Sequence, residues 1–288
     1  MDLASEQTIK EMLRKHDIRP VKQLGQSFLV DKLVLKKIIQ AAELKKDDIV
    51  LEIGSGLGTL TMELAKRVKK VIAIEKDKKL YDLLKEILKN YKNIEVINAD
   101  ILDLGMQSLS DRLGGRTPNN APNKIVSNLP YYIASPVIRK FLEAENKPKS
   151  MILMIQKEVA RRIIARPPNM SILSIAVQSY ANPEIIDYVS KSAFYPTPKV
   201  DSAIIKITPY VRPRVSHINS VRFFRLVKAG FSSKRKQLAN SLSRELCLNK
   251  KVIKTILEKS KIDIKIRPQN LDIKDWLKIY ENYKIYKS

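Results

Sequence analysis

The stretch from Ile49 to Thr61 limits the possible folds more than any other part of the chain. Its pattern predicts a buried strand, a turn with three glycines and the start of a helix. Gly54 and Gly56 let the backbone pass close to a ligand, and Gly58 lets the helix pack tightly on the strand. The spacing is G-x-G-x-G, which differs from the G-x-G-x-x-G pattern of dinucleotide sites. The turn therefore favours a ligand without a pyrophosphate, such as S-adenosylmethionine.

Two further predicted strands end in acidic residues that suit an adenosine. The strand 71–74 ends at Glu75, 21 residues after Gly54, where a carboxylate can accept both ribose hydroxyls. The strand 94–97 leads to Asp100, which can accept a hydrogen bond from the N6 amine of the cofactor's own adenine. Strands and helices alternate over residues 49–155, which indicates a parallel, doubly wound sheet.

A fourth strand, 124–127, is followed by a turn that suits an exocyclic amine. Pro130 ends the strand, so the chain turns at the strand's carboxyl end, where open α/β sheets bind ligands. The side-chain oxygen of Asn128 and the carbonyl of Leu129 can accept the two hydrogens of an adenine N6 amine. Tyr131 can stack on the base. Taken alone, these four residues favour an ordinary Asn-x-Pro turn with a buried tyrosine. The glycine-rich turn upstream, at the right distance, reverses that preference.

A second aromatic residue precedes a proline-rich loop. Pro196 and Pro198 stiffen the segment 194–202 in front of a predicted strand, 203–208. Phe194 is predicted to form the second face of an aromatic clamp, with Tyr131, around a flipped base. The local pattern fits a core aromatic at the start of a strand just as well.

The charge of the chain indicates a polyanionic partner. The net charge is +24, and nucleic acid is the commonest partner of so basic a protein. Residues 211–288 carry 20 of the 54 Lys and Arg residues but only 6 of the 30 Asp and Glu residues. Over half of the excess charge therefore lies in the last quarter of the chain, which a lysine-rich composition alone would not produce.

The same quarter is predicted to be a separate domain. A linker at 209–214 divides a domain over 1–210, with an N-terminal helical arm, from a helical domain over 211–288. The predicted helices of the second domain are 219–230, 233–247, 250–260 and 272–286. Lys234, Arg235 and Lys236 adjoin a predicted helix start and are the expected RNA contacts.

Several classes of site and location are disfavoured by composition. Cys247 is the single cysteine and stands between leucines, so we expect a core thiol and a reducing compartment. His16 and His217 are not in metal-ligand spacing, and no metal site is predicted. No apolar run approaches membrane-spanning length, and no signal-peptide core is evident. We expect a cytoplasmic monomer that does not contact membranes.

Together and in this order, these segments resemble the dimethyladenosine transferase family of ribosomal RNA methyltransferases. The resemblance runs from Gly25 almost to the C-terminus. The matching segments are 25–29, 52–58, 74–75, 98–100, 128–131, 156–159, 194–202, 234–242 and 267–271. It implies an α/β fold: a Rossmann-like class I S-adenosylmethionine-dependent methyltransferase domain with a small all-helical C-terminal domain. It also implies N6,N6-dimethylation of two adjacent adenosines near the 3′ end of 16S rRNA in the small ribosomal subunit, and a role in ribosome biogenesis.

The resemblance also assigns residues. It implies S-adenosylmethionine contacts at Ser27, Leu29, Gly54, Glu75, Asp100 and Asn128, a catalytic turn of Asn128, Leu129, Pro130 and Tyr131, and an adenine clamp of Tyr131 and Phe194. The family usually has Asn where this chain has Ser27. Serine is shorter and lacks an amide donor, so a side-chain contact there is lost while a backbone contact can remain.

Three alternatives stay open at this point. The 23S rRNA adenine N6-methyltransferases of macrolide resistance share the Asn-x-Pro-Tyr turn, but the segment 234–242 and the long helical tail favour the small-subunit enzyme. A DNA adenine methyltransferase would need a target-recognition region, and none is evident. A non-catalytic ribosome-assembly or transcription factor that retains the fold is favoured slightly by Ser27 and opposed by Glu75, Asp100 and 128–131.

Overall fold

The computed structural model describes residues 3–21, 24–105, 122–233 and 235–286. Most of the Gly-, Pro- and Asn-rich loop at 105–123 lies outside these ranges. The chain forms two compact units: Met1–Ala160 with Glu184–Pro209, and Arg161–Pro183 with Tyr210–Ser288. The sequence-based division at residue 210 therefore differs in one segment, 161–183. Met170 and Ile175 explain the difference, because both are buried in the hydrophobic core of the second unit.

Of the nine strands among the described residues, seven form one sheet, in the order β4-β3-β2-β5-β6-β9-β7. The strands are β1 (Phe28–Leu29), β2 (Ile49–Ile53), β3 (Lys70–Glu75), β4 (Ile94–Asn98), β5 (Lys124–Asn128), β6 (Ser150–Gln156), β7 (Ala181–Val189), β8 (Phe194–Tyr195) and β9 (Ser202–Pro209). Strands β2 to β6 run parallel, and β9 is antiparallel to β6. The strand order reverses between β2 and β5, which is the switch point where such sheets open a crevice for ligands.

Helices accompany the strands of the sheet and then dominate the rest of the chain. They are α1 (Glu6–Lys15), α2 (Lys32–Ala41), α3 (Thr59–Ala65), α4 (Lys78–Leu88), α5 (Ala134–Glu143), α6 (Lys157–Ile164), α7 (Ile172–Tyr180), α8 (Ser220–Phe231), α9 (Leu238–Leu246), α10 (Lys250–Lys259) and α11 (Ile273–Tyr283). Short 3₁₀ helices lie at Tyr131–Ile133, Lys191–Ala193, Pro268–Asn270 and Lys284–Tyr286. The predicted combination of a Rossmann-like domain with a helical C-terminal region is confirmed.

The helices of the second unit pack around Trp276, which is completely buried. Cys247 does not belong to this core, and its prediction as a core thiol was wrong. It is exposed and ends α9 in a left-handed conformation with φ 55°. The buried residues of α9 nearest to it are Leu242 and Leu246, so the chain has already left the apolar face at residue 247.

Gly230 in α8 gives a stability prediction. Alanine normally favours a helix over glycine by about 1 kcal/mol, but a Cβ at Gly230 would lie 2.3 Å from Cη2 of Trp276. We therefore expect Gly230→Ala to lower the free energy of unfolding by about 2 kcal/mol in urea titrations. In a Trp276→Leu background the closer obstruction is gone and Cδ1 of Leu238, at 2.8 Å, remains, so the same substitution is expected to cost less. Equal costs in both backgrounds would show that the indole ring is not the obstruction.

Candidate active site

The glycine turn after β2 and the turn after β5 are in direct contact. Gly54, Gly56 and Gly58 all have positive φ, from 57° to 85°. A Cβ at Gly54 would lie 2.9 Å from Cδ of Pro130. Glycine is therefore needed at position 54 both for its backbone conformation and for the approach of the second turn.

Glu75 fixes the shape of the glycine turn through its carboxylate. One oxygen accepts the backbone N–H of Gly56 at 2.9 Å, and the other accepts that of Asp77 at 2.9 Å. These two hydrogen bonds favour the charged form of Glu75, but burial has the larger effect and raises its pKa. Each carboxylate oxygen keeps a second lone pair, so Glu75 can still accept two ribose hydroxyls.

Asp100 lines the same crevice and is paired with a cation. Its Oδ2 accepts Lys76 Nζ at 2.7 Å, and its Oδ1 accepts the backbone N–H of Leu102 at 2.8 Å. Partial burial alone would raise the pKa of Asp100, but these two donors outweigh it and hold that pKa below its usual range. Asp100 is thus charged at neutral pH, and the second lone pair on either oxygen can accept an amine.

Glu52 is a residue of this crevice that the sequence did not assign. It lies inside β2, is 2% exposed and has an Oε2 atom without a hydrogen-bond partner among the described residues. Burial raises the pKa of Glu52 to about 8, and the charge of Glu75 acts in the same direction. Burial thus favours the protonated form in the unliganded protein, and a positively charged ligand beside Glu52 would favour its charged form.

Asn128 ends β5, and its two side-chain atoms have different surroundings. Nδ2 donates a hydrogen bond to the backbone carbonyl of Ser27 at 3.3 Å. Among the residues that the structure describes, Oδ1 has no such partner, and Asn128 lines the crevice. The amide is therefore oriented with its acceptor available, as the binding of an N6 amine requires.

The hydrogen bond between Asn128 and residue 27 does not depend on the serine side chain. The carbonyl of residue 27, not its side chain, receives Asn128, so an asparagine at this position is not needed for the contact. Gln26 holds the same segment in place: its Oε1 accepts the N–H of Val21 at 2.7 Å, and its Nε2 donates to Asp77 at 3.1 Å. Leu29 follows in β1, where it is buried and opposite Phe194.

Both members of the predicted aromatic clamp line the crevice, but they differ in their contacts and in how deeply they are buried. The Tyr131 hydroxyl lies 2.7 Å from Oγ of Ser202, and burial raises the pKa of Tyr131, so the hydroxyl is protonated at neutral pH. Phe194 is only 3% exposed and belongs to the hydrophobic core of the first unit. Its clamp role stays a prediction, and it requires the ring to become uncovered when a base enters.

The predicted RNA contacts lie in the second unit. Arg235 and Lys236 are exposed between α8 and α9, whereas Lys234 lies outside the described residues. Within the part of the chain that is described, no group of three His, Cys, Asp or Glu side chains can hold a metal ion. None of the helices in those ranges is long and apolar enough to span a membrane.

These residues fit S-adenosylmethionine. The carboxylates of Glu75 and Asp100 match ribose hydroxyls and an adenine amine, and Glu52, whose Oε2 has no partner among the described residues, suits a positive charge. A switch-point crevice with these acceptors, beside a turn that can bind an amine, defines a class I S-adenosylmethionine-dependent methyltransferase.

Comparison with known proteins narrows this class. The profile of the family described as "Ribosomal RNA adenine dimethylase" matches residues 18–284. The chain belongs to this family. It is 44% identical over 274 residues to the Ribosomal RNA small subunit methyltransferase A of Dehalococcoides mccartyi, which covers 95% of this chain and 92% of that protein. The protein of the same name from Clostridioides difficile is 40% identical over 277 residues, and the match covers 95% of this chain and 94% of that protein.

Two solved structures are similar over most of the chain. A dimethyladenosine transferase from Plasmodium falciparum has a TM-score of 0.73 and 30% identity, and the match covers 89% of this chain and 97% of that one. The 23S rRNA methyltransferase ErmE has a TM-score of 0.68 and 28% identity, with 89% and 99% covered.

Proposed function

We propose that this protein transfers methyl groups from S-adenosylmethionine to the N6 atoms of two adjacent adenosines near the 3′ end of 16S rRNA, twice per base. The observation that carries the proposal is the orientation of Asn128, whose Nδ2 is held by the carbonyl of Ser27 while Oδ1 stays available. We further propose that the protein acts as a cytoplasmic monomer on the small ribosomal subunit during ribosome biogenesis.

The turn at 128–131 is suited to activate an amine. The N6 lone pair of adenine is delocalised into the ring, and it becomes available only when the amine becomes pyramidal. Oδ1 of Asn128 and the carbonyl of Leu129, by accepting the two amine hydrogens, favour that geometry. When bound, S-adenosylmethionine supplies a methyl group activated by its positively charged sulfur.

The remaining residues position the reactants rather than move protons. Tyr131 holds the base by stacking, and its hydroxyl is anchored by Ser202. Gly54 and Pro130 keep the cofactor turn and the amine-binding turn together. No strong base is needed, because the methylated amine loses its proton readily to solvent. For the second transfer, the space beside Leu129 must admit a monomethylated amine.

The alternative substrate is 23S rRNA, since ErmE has a similar structure. The curated relatives at 40–44% identity favour the small subunit, because each bears the name of a small subunit methyltransferase. A non-catalytic factor is disfavoured by the intact contacts of Glu75 and Asn128.

One experiment separates these functions. Labelled S-adenosylmethionine is supplied with unmethylated small subunits and, separately, with unmethylated large-subunit RNA, and the digested RNA is analysed for N6,N6-dimethyladenosine. We expect label only in the small subunit, as dimethyladenosine. Label only in large-subunit RNA would move the assignment to 23S rRNA, and RNA binding without any label would favour the non-catalytic factor.

A further inference from the structure

The solvent-facing side of α8 carries three cations in regular spacing. Arg222, Arg225 and Lys228 are all exposed, each three residues from the next. We call these three residues the α8 stripe. The opposite side of the helix is fixed in the core of the second unit by Phe223, Leu226, Val227 and Gly230. The stripe is therefore presented on a rigid helix, with about 9 Å of helix rise between its first and last members.

Among the residues that the structure describes, no acidic side chain pairs with the stripe. Helix α8 contains no Asp or Glu, and none of the three cations forms an ion pair with any residue in the described ranges. Some cations of this unit, in contrast, are paired within their own helices: Arg244 contacts Glu245 at 2.7 Å, and Lys278 contacts Asp275 at 3.7 Å.

The stability of the helix does not account for this arrangement. Like charges three residues apart each cost about 0.2–0.5 kcal/mol. Arg222 is the third residue of α8, where Asn219 caps its backbone N–H at 3.0 Å. The positive end of the helix dipole disfavours a cation in this first turn. A sequence selected only for folding would place acids here, so the cations point to an anionic partner.

The stripe also leads to the cations that the sequence assigned to RNA. Helix α8 ends at Phe231, and the guanidinium of Arg244 lies within hydrogen-bond distance of Ser232 and Ser233, at 3.3 and 3.4 Å. Arg235 and Lys236 follow along the chain. Exposed cations therefore continue along this unit from Arg222 to the region before α9.

We propose that the α8 stripe binds phosphodiester groups of the ribosomal RNA backbone, as an additional contact surface that precedes Arg235 and Lys236 in the chain. The inference rests on the proposed function, because it takes the RNA as the partner. Contacts of this kind carry no sequence information. The stripe would increase affinity and set the orientation of the RNA, while the crevice of the first unit selects the base.

The test replaces all three stripe residues with glutamine, in Arg222→Gln/Arg225→Gln/Lys228→Gln. The matched control is Lys259→Gln/Lys265→Gln/Lys274→Gln, which removes three exposed cations of the same unit that do not share one helix face. Binding of unmethylated 16S rRNA is measured by filter retention between 50 and 300 mM KCl. We expect about tenfold weaker binding by the stripe variant at 150 mM, and a salt-dependence slope smaller by about two.

Two further measurements distinguish a lost RNA contact from a folding defect. In urea, the stripe variant should be as stable as the wild type or more so, because its like-charge repulsion is relieved. Its KM for small subunits should rise while kcat at saturation is kept. Equal binding by the stripe and control variants would overturn the inference. If the wild type binds the RNA but forms no dimethyladenosine, the proposed function fails instead.

Discussion

Asn128→Ala should lower the rate of methyl transfer by about 10²–10³-fold while the affinity for RNA changes little. The substitution removes the acceptor that favours the pyramidal amine, and a single such group is worth about 10²–10³ in rate. It also removes the hydrogen bond to the carbonyl of Ser27, so the segment over the crevice loses one of its fixed points. The rate is measured in single turnovers with both substrates saturating.

A second variant separates the two atoms of this side chain. Asn128→Asp keeps an acceptor but cannot donate to Ser27, so we expect a rate between those of the alanine variant and the wild type. RNA binding and cofactor binding are measured on both variants to exclude misfolding. A rate for Asn128→Ala within tenfold of the wild type would contradict the assigned role.

Glu52→Gln should change how the stability of the protein depends on pH. The pKa of Glu52 is about 8 in the folded protein and about 4.5 in the unfolded chain. Between these values the unfolded chain has lost the proton and the folded protein has kept it, so the wild type loses stability as pH rises from 4.5 to 8. Glutamine does not titrate. The free energy of unfolding of the variant, relative to that of the wild type, should therefore rise by on the order of 3 kcal/mol between pH 4.5 and pH 7.

The measurement is the free energy of unfolding from urea titrations without cofactor, at several pH values. Any difference in packing between the two side chains is independent of pH and shifts the whole curve. The slope of the free energy of unfolding against pH is therefore the quantity that tests the protonation of Glu52. Glu95→Gln, in the neighbouring part of the sheet, removes a more exposed carboxylate that contacts Lys70. If Glu52→Gln and Glu95→Gln have parallel curves, the buried carboxyl is not protonated as described.

The sequence was most informative where short-range patterns decide the structure. The strand and glycine turn at 49–58 and the strand before Asn128 lie where the short, largely apolar runs and the positions of Gly and Pro place them. Because parallel strands align their carboxyl ends, the residues after β2, β3 and β5 had to meet at one edge of the sheet. The position of the crevice was therefore predictable without its detailed contacts.

The contacts that remained unpredicted depend on tertiary packing. The sequence shows Lys76 after Glu75, but not that its ammonium reaches the carboxylate of Asp100. A glutamate inside a buried strand was visible at position 52, and this was the available signal for a functional carboxyl group. Phe194 fitted either a clamp or the core, and only the packing shows how fully it is covered.

Boundaries in the helical part were also less predictable than the helices themselves. The pattern predicted one helix over 233–247, whereas α9 begins at Leu238, whose backbone N–H bonds to the carbonyl of Ile266. The segment 161–183 was assigned to the wrong side of the domain division because its chain position precedes the linker. Its apolar residues pack with a core that forms mainly from residues after 210.

The close approach of Gly54 to Pro130 limits how this protein can be recombined with its relatives. A chimaera that takes residues 49–61 from one parent and residues 124–135 from another would join two surfaces separated by less than the width of a methyl group. Even if each segment folded correctly, a small difference in backbone path would displace the amine-binding turn. The two segments should therefore be exchanged together, as one inherited module, in any attempt to build hybrid enzymes from this fold.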